Sequence, residues 1–333
     1  MTKTPAQIEA EAATFRECLD HLHAEIGRVF VGQADLVDHL LICFFCQGHA
    51  LIEGPPGLGK TLLVRTLANA LALGYSRIQC TPDLMPADVT GTTILTDAPG
   101  GGRDFRFQPG PVFANVVLAD ELNRANPRTQ SAFLEAMQER HVTVFGTTHP
   151  LPEPFSVFAT QNPIEMEGTY PLPEAQLDRF FFKLVVRMPD AEELGLVLAR
   201  TTGADSVQPT PRFGAETVRA MAELVRHVQV AEPAMQFVLR LVRNTHPDSP
   251  HAPAIVKQYV RYGASPRAAQ AMILAAKARA LKAGRYHVAT EDVRAMAMPA
   301  LHHRILLNFS ADMERVTTGA VVNAVLDSAA GPA

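Results

Sequence analysis

The sequence predicts an α/β fold: a five-stranded parallel sheet with crossover helices, followed by a second domain built of helices. Three observations lead there. In the first half, short strand-like runs alternate with helical patterns, as in repeated βα units. Several of these runs are continuously apolar, the pattern of strands covered on both faces. After Met188-Pro189 strand-like runs stop and amphipathic helical patterns take over.

The candidate strands are His49–Glu53, Ser76–Cys80, Val116–Asp120, Ser156–Thr160 and Phe180–Val186. Between them, Thr61–Leu73 reads as a helix stopped by Gly74, and Pro127–Gln138 as another. The later helices are Asp190–Thr201, Ala215–Val230, Pro233–Thr245, Pro266–Ala283 and Thr290–Leu307. We therefore divide the chain into an N-terminal helical segment (1–29), a sheet-bearing core (30–188) and a helical domain (189–333). Two stretches fit neither strand nor crossover helix. Thr92–Pro111 contains Gly100-Gly101-Gly102, read as a flexible exposed tip, and His141–Phe155 reads as a projecting β-hairpin.

Composition narrows the function classes. A chain of 333 residues suggests about two domains. With 47% apolar and 19% charged residues it can bury a sizeable core. The formal net charge of −4 excludes a strongly basic coat, although a local basic groove is compatible with it. The longest strictly apolar run, Leu40 to Cys46, is far short of the ~20 residues that cross a bilayer. Glu9 and Glu11 stand where a signal peptide would be apolar, so a cytoplasmic protein is expected. Cys43 and Cys46 have metal-ligand spacing, but no second close pair exists and the stretch is apolar, so they read as core cysteines. The adjacent His302-His303 read as surface residues.

The chemistry centres on Gly54-Pro55-Pro56-Gly57-Leu58-Gly59-Lys60-Thr61, which fits G-x-x-x-x-G-K-[ST] between a predicted strand and a predicted helix that continues through Leu62. Glycines let backbone N–H groups close around phosphate oxygens. The helix N-terminus adds unpaired donors and partial positive charge. Lys60 is placed to reach the β- and γ-phosphates, and Thr61 to ligate Mg²⁺. The glycine spacing is wrong for a dinucleotide fingerprint. Sixty positions beyond Lys60, the strand Val116–Ala119 ends in Asp120 and Glu121. Adjacent acids at the end of a buried strand are costly without a purpose. Beside a P-loop they have one: Asp120 to hold Mg²⁺ through water, Glu121 to orient and polarise an attacking water.

The run from Asp120 to Glu139 (DELNRANPRTQSAFLEAMQE) resembles the MoxR family of AAA+ ATPases, in the helix-2-insert branch. So do Ala159–Phe180 (ATQNPIEMEGTYPLPEAQLDRF), Val31-Gly32-Gln33, the P-loop and Gly263–Arg267, so that the match runs from about residue 30 to about 310. The resemblance implies an AAA+ αβα core, an all-α lid and a ring-shaped homo-hexamer that hydrolyses ATP with Mg²⁺. It assigns Asn162 as the first sensor, Arg179 as an arginine finger reaching the neighbouring subunit, and Arg267 as a second sensor that swings from the lid onto the phosphates. Ser265 and Pro266 independently look like an N-cap and first helical position ahead of Arg267. Val31 and Gly32 match the segment whose backbone lines the adenine pocket. The two odd stretches occupy the places of the family's insert and hairpin, which face the pore or top of the ring. The P-loop departs from many relatives in reading Pro-Pro-Gly-Leu-Gly-Lys rather than Val-Pro-Gly-Leu-Ala-Lys.

The expected function is that of a chaperone-like motor acting on a client protein complex, often with a partner bearing a von Willebrand A domain. The alternatives are a nucleic-acid or chelatase-type motor, which the acidic balance disfavours despite Arg103 and Arg106, and a nucleotide-gated scaffold, which Glu121, Asn162 and Arg179 disfavour.

Overall fold

The computed structural model describes residues 5–97, 103–163, 168–203 and 208–329. Helices α1 (Pro5–Val29) and α2 (Ala34–Phe45) precede β1 (Ala50–Glu53), α3 (Lys60–Ala70), β2 (Tyr75–Gln79) and α4 (Pro86–Thr90). An antiparallel hairpin of β3 (Gly91–Asp97) and β4 (Arg103–Pro109) comes next, then β5 (Val116–Asp120) and α5 (Pro127–Glu139). A second hairpin pairs β6 (His141–Val144) with β7 (Thr147–Pro150). It leads to β8 (Ser156–Gln161), the short α6 (Glu174–Leu177) and β9 (Phe182–Val185). The helical part comprises α7 (Ala191–Thr201), α8 (Ala215–His227), α9 (Glu232–Asn244), α10 (Ala254–Tyr259), α11 (Pro266–Lys282), α12 (Thr290–Leu301), α13 (Phe309–Met313) and α14 (Thr318–Ala329).

The main sheet has five parallel strands in the order β2-β5-β8-β1-β9. Alternate strand residues supply its two faces. Ile52, Leu118 and Phe158 pack with Leu63, Val64 and Leu67 of α3. Leu51, Val117, Ala119 and Val157 pack with Phe133 and Leu134 of α5 on the other side. Every residue of β5 is buried, so an apolar side chain was needed on both faces. The crossover order sets the carboxyl ends of β1, β5 and β8 side by side, the usual place for a ligand crevice in open α/β sheets.

The face that carries α3 belongs to an apolar cluster that continues through α1 and α2 into the helices beyond residue 215. Cys43 and Cys46 sit inside it as core residues, and burial raises both thiol pKa values. None of the described helices is long and apolar enough to cross a membrane.

The structure corrects three expectations. The helix read over Thr290–Leu307 stops at Leu301, and Leu306–Leu307 instead pairs with Val260–Tyr262. A second short pairing, Gln229–Val230 with His287–Val288, also interrupts the helical part. His303 is buried rather than on the surface, with its ring at 2.9 Å from the Phe180 carbonyl. The Thr92–Pro111 stretch contains most of the β3–β4 hairpin; both its faces are largely exposed, so no apolar period marked it as strand. The triplet Gly100–Gly102 lies outside the described residues.

His49, just before β1, joins the layers. It donates Nε2–H to the Met137 carbonyl at 3.0 Å and accepts the Val157 N–H on Nδ1 at 2.9 Å, which fixes a neutral ring. Burial pushes its pKa down to about 4. The folded value lies below the ordinary ~6.5, so the unfolded chain takes up the proton first as pH falls. Stability from His49 is whole above pH ~6.5 and is lost toward pH 4, to the extent of about 3 kcal/mol. Denaturant midpoints should therefore fall between pH 7 and 4.5, and a His49→Gln variant should show a shallower pH slope; equal slopes would remove this role.

Candidate functional site

The P-loop connects β1 to α3 and forms one wall of a cleft of about 420 Å³. Its first glycine has no room for a side chain, because a Cβ on Gly54 would lie 2.8 Å from the Val186 carbonyl oxygen. Its last, Gly59, has φ +77°, and a Cβ there would lie 3.3 Å from the Phe30 ring. Gly59 is the N-cap of α3 and offers no side-chain cap, so the first-turn N–H groups of α3 are left for another acceptor. The Lys60 ammonium donates to the Gly54 and Pro55 carbonyls at 2.6 and 2.7 Å. Burial holds its pKa below the usual lysine value, and the charges of Asp120 and Glu121 oppose that shift.

The opposite wall comes from the ends of β5 and β8. Asp120 is buried; its Oδ1 accepts from Thr160 Oγ1 at 2.6 Å. Its Oδ2 accepts from Arg77 Nε and Nη2 at 2.9 and 2.7 Å, and Thr61 Oγ1 stands 3.4 Å away. Successive strand residues point to opposite faces, yet Glu121 also lines the cleft. The chain achieves this by placing Glu121 at φ 57° and ψ 52°, a left-handed conformation that costs a non-glycine residue about 1–3 kcal/mol. The Glu121 N–H is caught by Thr160 Oγ1 at 2.7 Å, and its carboxylate by Arg124 and Gln79, each at 3.3 Å. Thr160, wholly buried, thus ties both acidic residues to β8 with one hydroxyl. Asn162, also buried, completes this wall.

The structure therefore brings together Pro56, Gly57, Leu58, Gly59, Lys60, Thr61, Leu62, Asp120, Glu121 and Asn162 around one cleft. Val31 and Gly32 do not line it; a Cβ on Gly32 would collide with the Glu193 carboxylate in the first turn of α7. Arg179 is outside it as well. It is exposed, donates to the Leu134 carbonyl at 3.3 Å and shares a small pocket with Arg267.

Arg267 does not line the cleft; its Nη1 meets the Asp178 carboxylate at 3.3 Å, beside Arg179. Ser265 does cap α11, accepting the Arg267 N–H at 3.2 Å. Four neighbours of the cleft were missed: Thr160, Arg77, Gln79 and Arg65. Only Thr160 carries a sequence signal, as the polar residue ending the apolar run Val157–Ala159.

Thr61 and Asp120 offer hard oxygen ligands at one spot, which suits Mg²⁺. An uncapped helix start, a lysine, two carboxylates and an amide around one cleft are equipment for cleaving a nucleoside triphosphate.

Comparison with known proteins agrees. Residues 49–182 match the model of the ATPase family associated with various cellular activities (AAA), and residues 252–325 the AAA lid domain. The chain is 42% identical to Chaperone MoxR1 of Mycobacterium tuberculosis over 92% of its own length and 81% of the relative's. It belongs to the MoxR family of AAA+ ATPases. Protein MoxR of Methylorubrum extorquens is 32% identical, with 92% of this chain and 93% of that protein covered. The crystal structure of a proposed ATPase from Cytophaga hutchinsonii superposes with a TM-score of 0.89 at 40% identity, covering 96% of both chains. As a MoxR-family member the chain is an ATP-hydrolysing enzyme, with a five-stranded αβα core and a helical lid.

Thr160→Val keeps the shape and removes the hydroxyl. It should cost about 1–3 kcal/mol of stability by leaving the Glu121 N–H and an Asp120 oxygen short of a partner. Loosening Glu121 should lower kcat about tenfold or more, with little change in ATP affinity by calorimetry. An unchanged kcat would show that Glu121 does not depend on this anchor.

Proposed function

We propose that the chain is a Mg²⁺-dependent motor that cleaves ATP at the interface between copies of itself, in a ring of six, and uses the cycle to remodel a client protein complex. The observation that carries the reading is the separation of the arginines. Arg179 and Arg267 share one pocket, while Lys60, Glu121 and Asn162 line another. A guanidinium built for phosphate but held away from its own P-loop is of use to the P-loop of a neighbour.

The triphosphate lies against the N-terminus of α3, with Lys60 leaving the Gly54 and Pro55 carbonyls for the β- and γ-oxygens. Thr61 and Asp120 would hold Mg²⁺, which supplies charge neutralisation of the phosphate oxygens when bound. Glu121 orients a water for in-line attack and takes up its proton as the bond forms. Asn162 fixes that water by hydrogen bonding without competing for the proton. The neighbour's Arg179 neutralises charge on the leaving β–γ bridge and γ-oxygens, a contribution worth ~10³–10⁵ in rate. The base is expected beside Val31 and Gly32, where the core meets α7.

The two hairpins are the proposed client-facing surface. Phe105 and Phe145 are 75% and 85% exposed, and they flank a groove of about 490 Å³ between the hairpins. The second hairpin turns at Phe145 and Gly146, both at positive φ, so its tip displays an aromatic ring at a conformational cost. A chaperone role is supported by the relative named Chaperone MoxR1. A partner with a von Willebrand A domain is supported by the family resemblance alone.

Specific ATPase activity should rise with protein concentration and vanish on chelation of Mg²⁺. Arg179→Ala should bind ATP normally yet lose ~10³-fold or more in kcat. Mixing it with Glu121→Gln, which has a finger but no base, should restore turnover at hybrid interfaces. Absence of rescue at every ratio would remove the in-trans assignment.

A further inference from the structure

Past the end of α12, Arg304 is buried, with its side chain 2% exposed. Desolvating a guanidinium is tolerable only where its donors find acceptors. All five do. Nε meets Asp178 Oδ1 at 3.0 Å. Nη1 meets the Phe181 carbonyl at 3.2 Å and the Ala300 carbonyl at 2.5 Å. Nη2 meets the carbonyls of Asp178 at 3.1 Å and Phe180 at 2.6 Å. His303 adds a ring N–H to the Phe180 carbonyl at 2.9 Å.

These partners surround one residue. Four of the five bonds fall on residues 178, 180 and 181, so the lid grips the backbone on both sides of Arg179. The Asp178 carboxylate is gripped from the lid a second time, by Ser265 Oγ at 2.6 Å and Arg267 Nη1 at 3.3 Å. Among the described residues the Arg179 side chain has one hydrogen bond, to the Leu134 carbonyl at 3.3 Å. The backbone around it is bonded many times and its tip once.

We propose that Arg304 is a positioning residue for Arg179: through Asp178 and the carbonyls of residues 178–181 it fixes the finger to the lid, so that lid placement in one copy sets catalysis in the next. This rests on the in-trans reading above. Only arginine has the planar five-donor fork the arrangement uses, so lysine fills the space without reproducing the grip.

A purely structural role would harm whichever chain carries the change. A positioning role harms only the chain that donates the finger. The test therefore puts the substitution in the donor alone. Full-length Arg179→Ala, which has an intact P-loop, is mixed with Glu121→Gln as donor, and separately with Glu121→Gln/Arg304→Lys. Size-exclusion chromatography checks assembly, and calorimetry checks that ATP affinity is unchanged. The first mixture should regain turnover and the second should regain about a tenth of it or less, the loss expected from misplacing a reacting group by about an ångström. In the reverse arrangement Arg304→Lys, with its own Glu121 intact, should be rescued by the Glu121→Gln donor. If the lysine change prevents assembly, Glu121→Gln/Asp178→Asn serves as donor, since it removes the carboxylate partner and leaves the carbonyl bonds. Equal rescue by the altered and unaltered donors would overturn the proposal. Failure of the Glu121→Gln donor itself would instead overturn the in-trans reading beneath it.

Discussion

Two carboxylates, Asp120 and Glu121, stand together at the end of a strand shut off from water, and the core around them is arranged to make that tolerable. The cost of burying Asp120 beside a second, half-buried acid is met by three different devices. The Thr160 hydroxyl donates to Asp120 and accepts the Glu121 backbone N–H, Arg77 lays its guanidinium on the oxygen that Thr160 leaves, and Lys60 adds a positive charge across the cleft. Each device depends on sheet order. Thr160 reaches the Asp120 carboxylate and the Glu121 N–H only because β8 lies beside β5, and Arg77 reaches Asp120 only because β2 flanks β5 on the other side. The backbone kink at Glu121 then turns strand alternation into convergence. A sheet with the same strands in another order would hold the same residues and have no site.

The arrangement also separates the residues of the cleft from two arginines. The cleft holds the acids, the amide and the lysine, whereas Arg179 and Arg267 lie together elsewhere. Both arginines are attached to Asp178, one by sequence and one by an ion pair, and Asp178 is held by the buried Arg304. Under the in-trans reading proposed above, a lone chain is a poor catalyst and assembly governs turnover.

How much of this is readable in the sequence follows from the range of the interactions. β5 is legible residue for residue, because burial on both faces demands an unbroken apolar run that ends where the acids begin. The P-loop and the Ser265 cap are equally legible, since each is a local motif whose chemistry needs only its own few residues. The function of Thr160 is not, because it depends on register with β5. Arg304 is hidden further. Its partners other than Ala300 lie more than a hundred residues away, and beside His302-His303 it has the look of a polar helix end. The β3–β4 hairpin escaped for a different reason, having no buried face to imprint a period.

The N-terminal helix joins the helix that follows the P-loop to the chain beyond β9. By sequence α1 is a separable segment ahead of the core. In the fold its apolar side enters the same cluster as α3, the helix that begins at Lys60. Its polar side is sewn to the chain around residues 200–212. Arg200 donates to the carbonyls of Gly27 and Arg28, the Thr210 N–H reaches Glu25, His21 meets the Thr210 carbonyl, and Arg212 pairs with Glu17. The Thr210 bond and Arg28 hold the Glu25 carboxyl below its usual pKa, so this contact carries charge at neutral pH. α1 therefore contacts both the helix that begins at Lys60 and the segment around residues 200–212. On the proposal above Arg304 ties the lid to Arg179, and α1 packs against both α3 and α11.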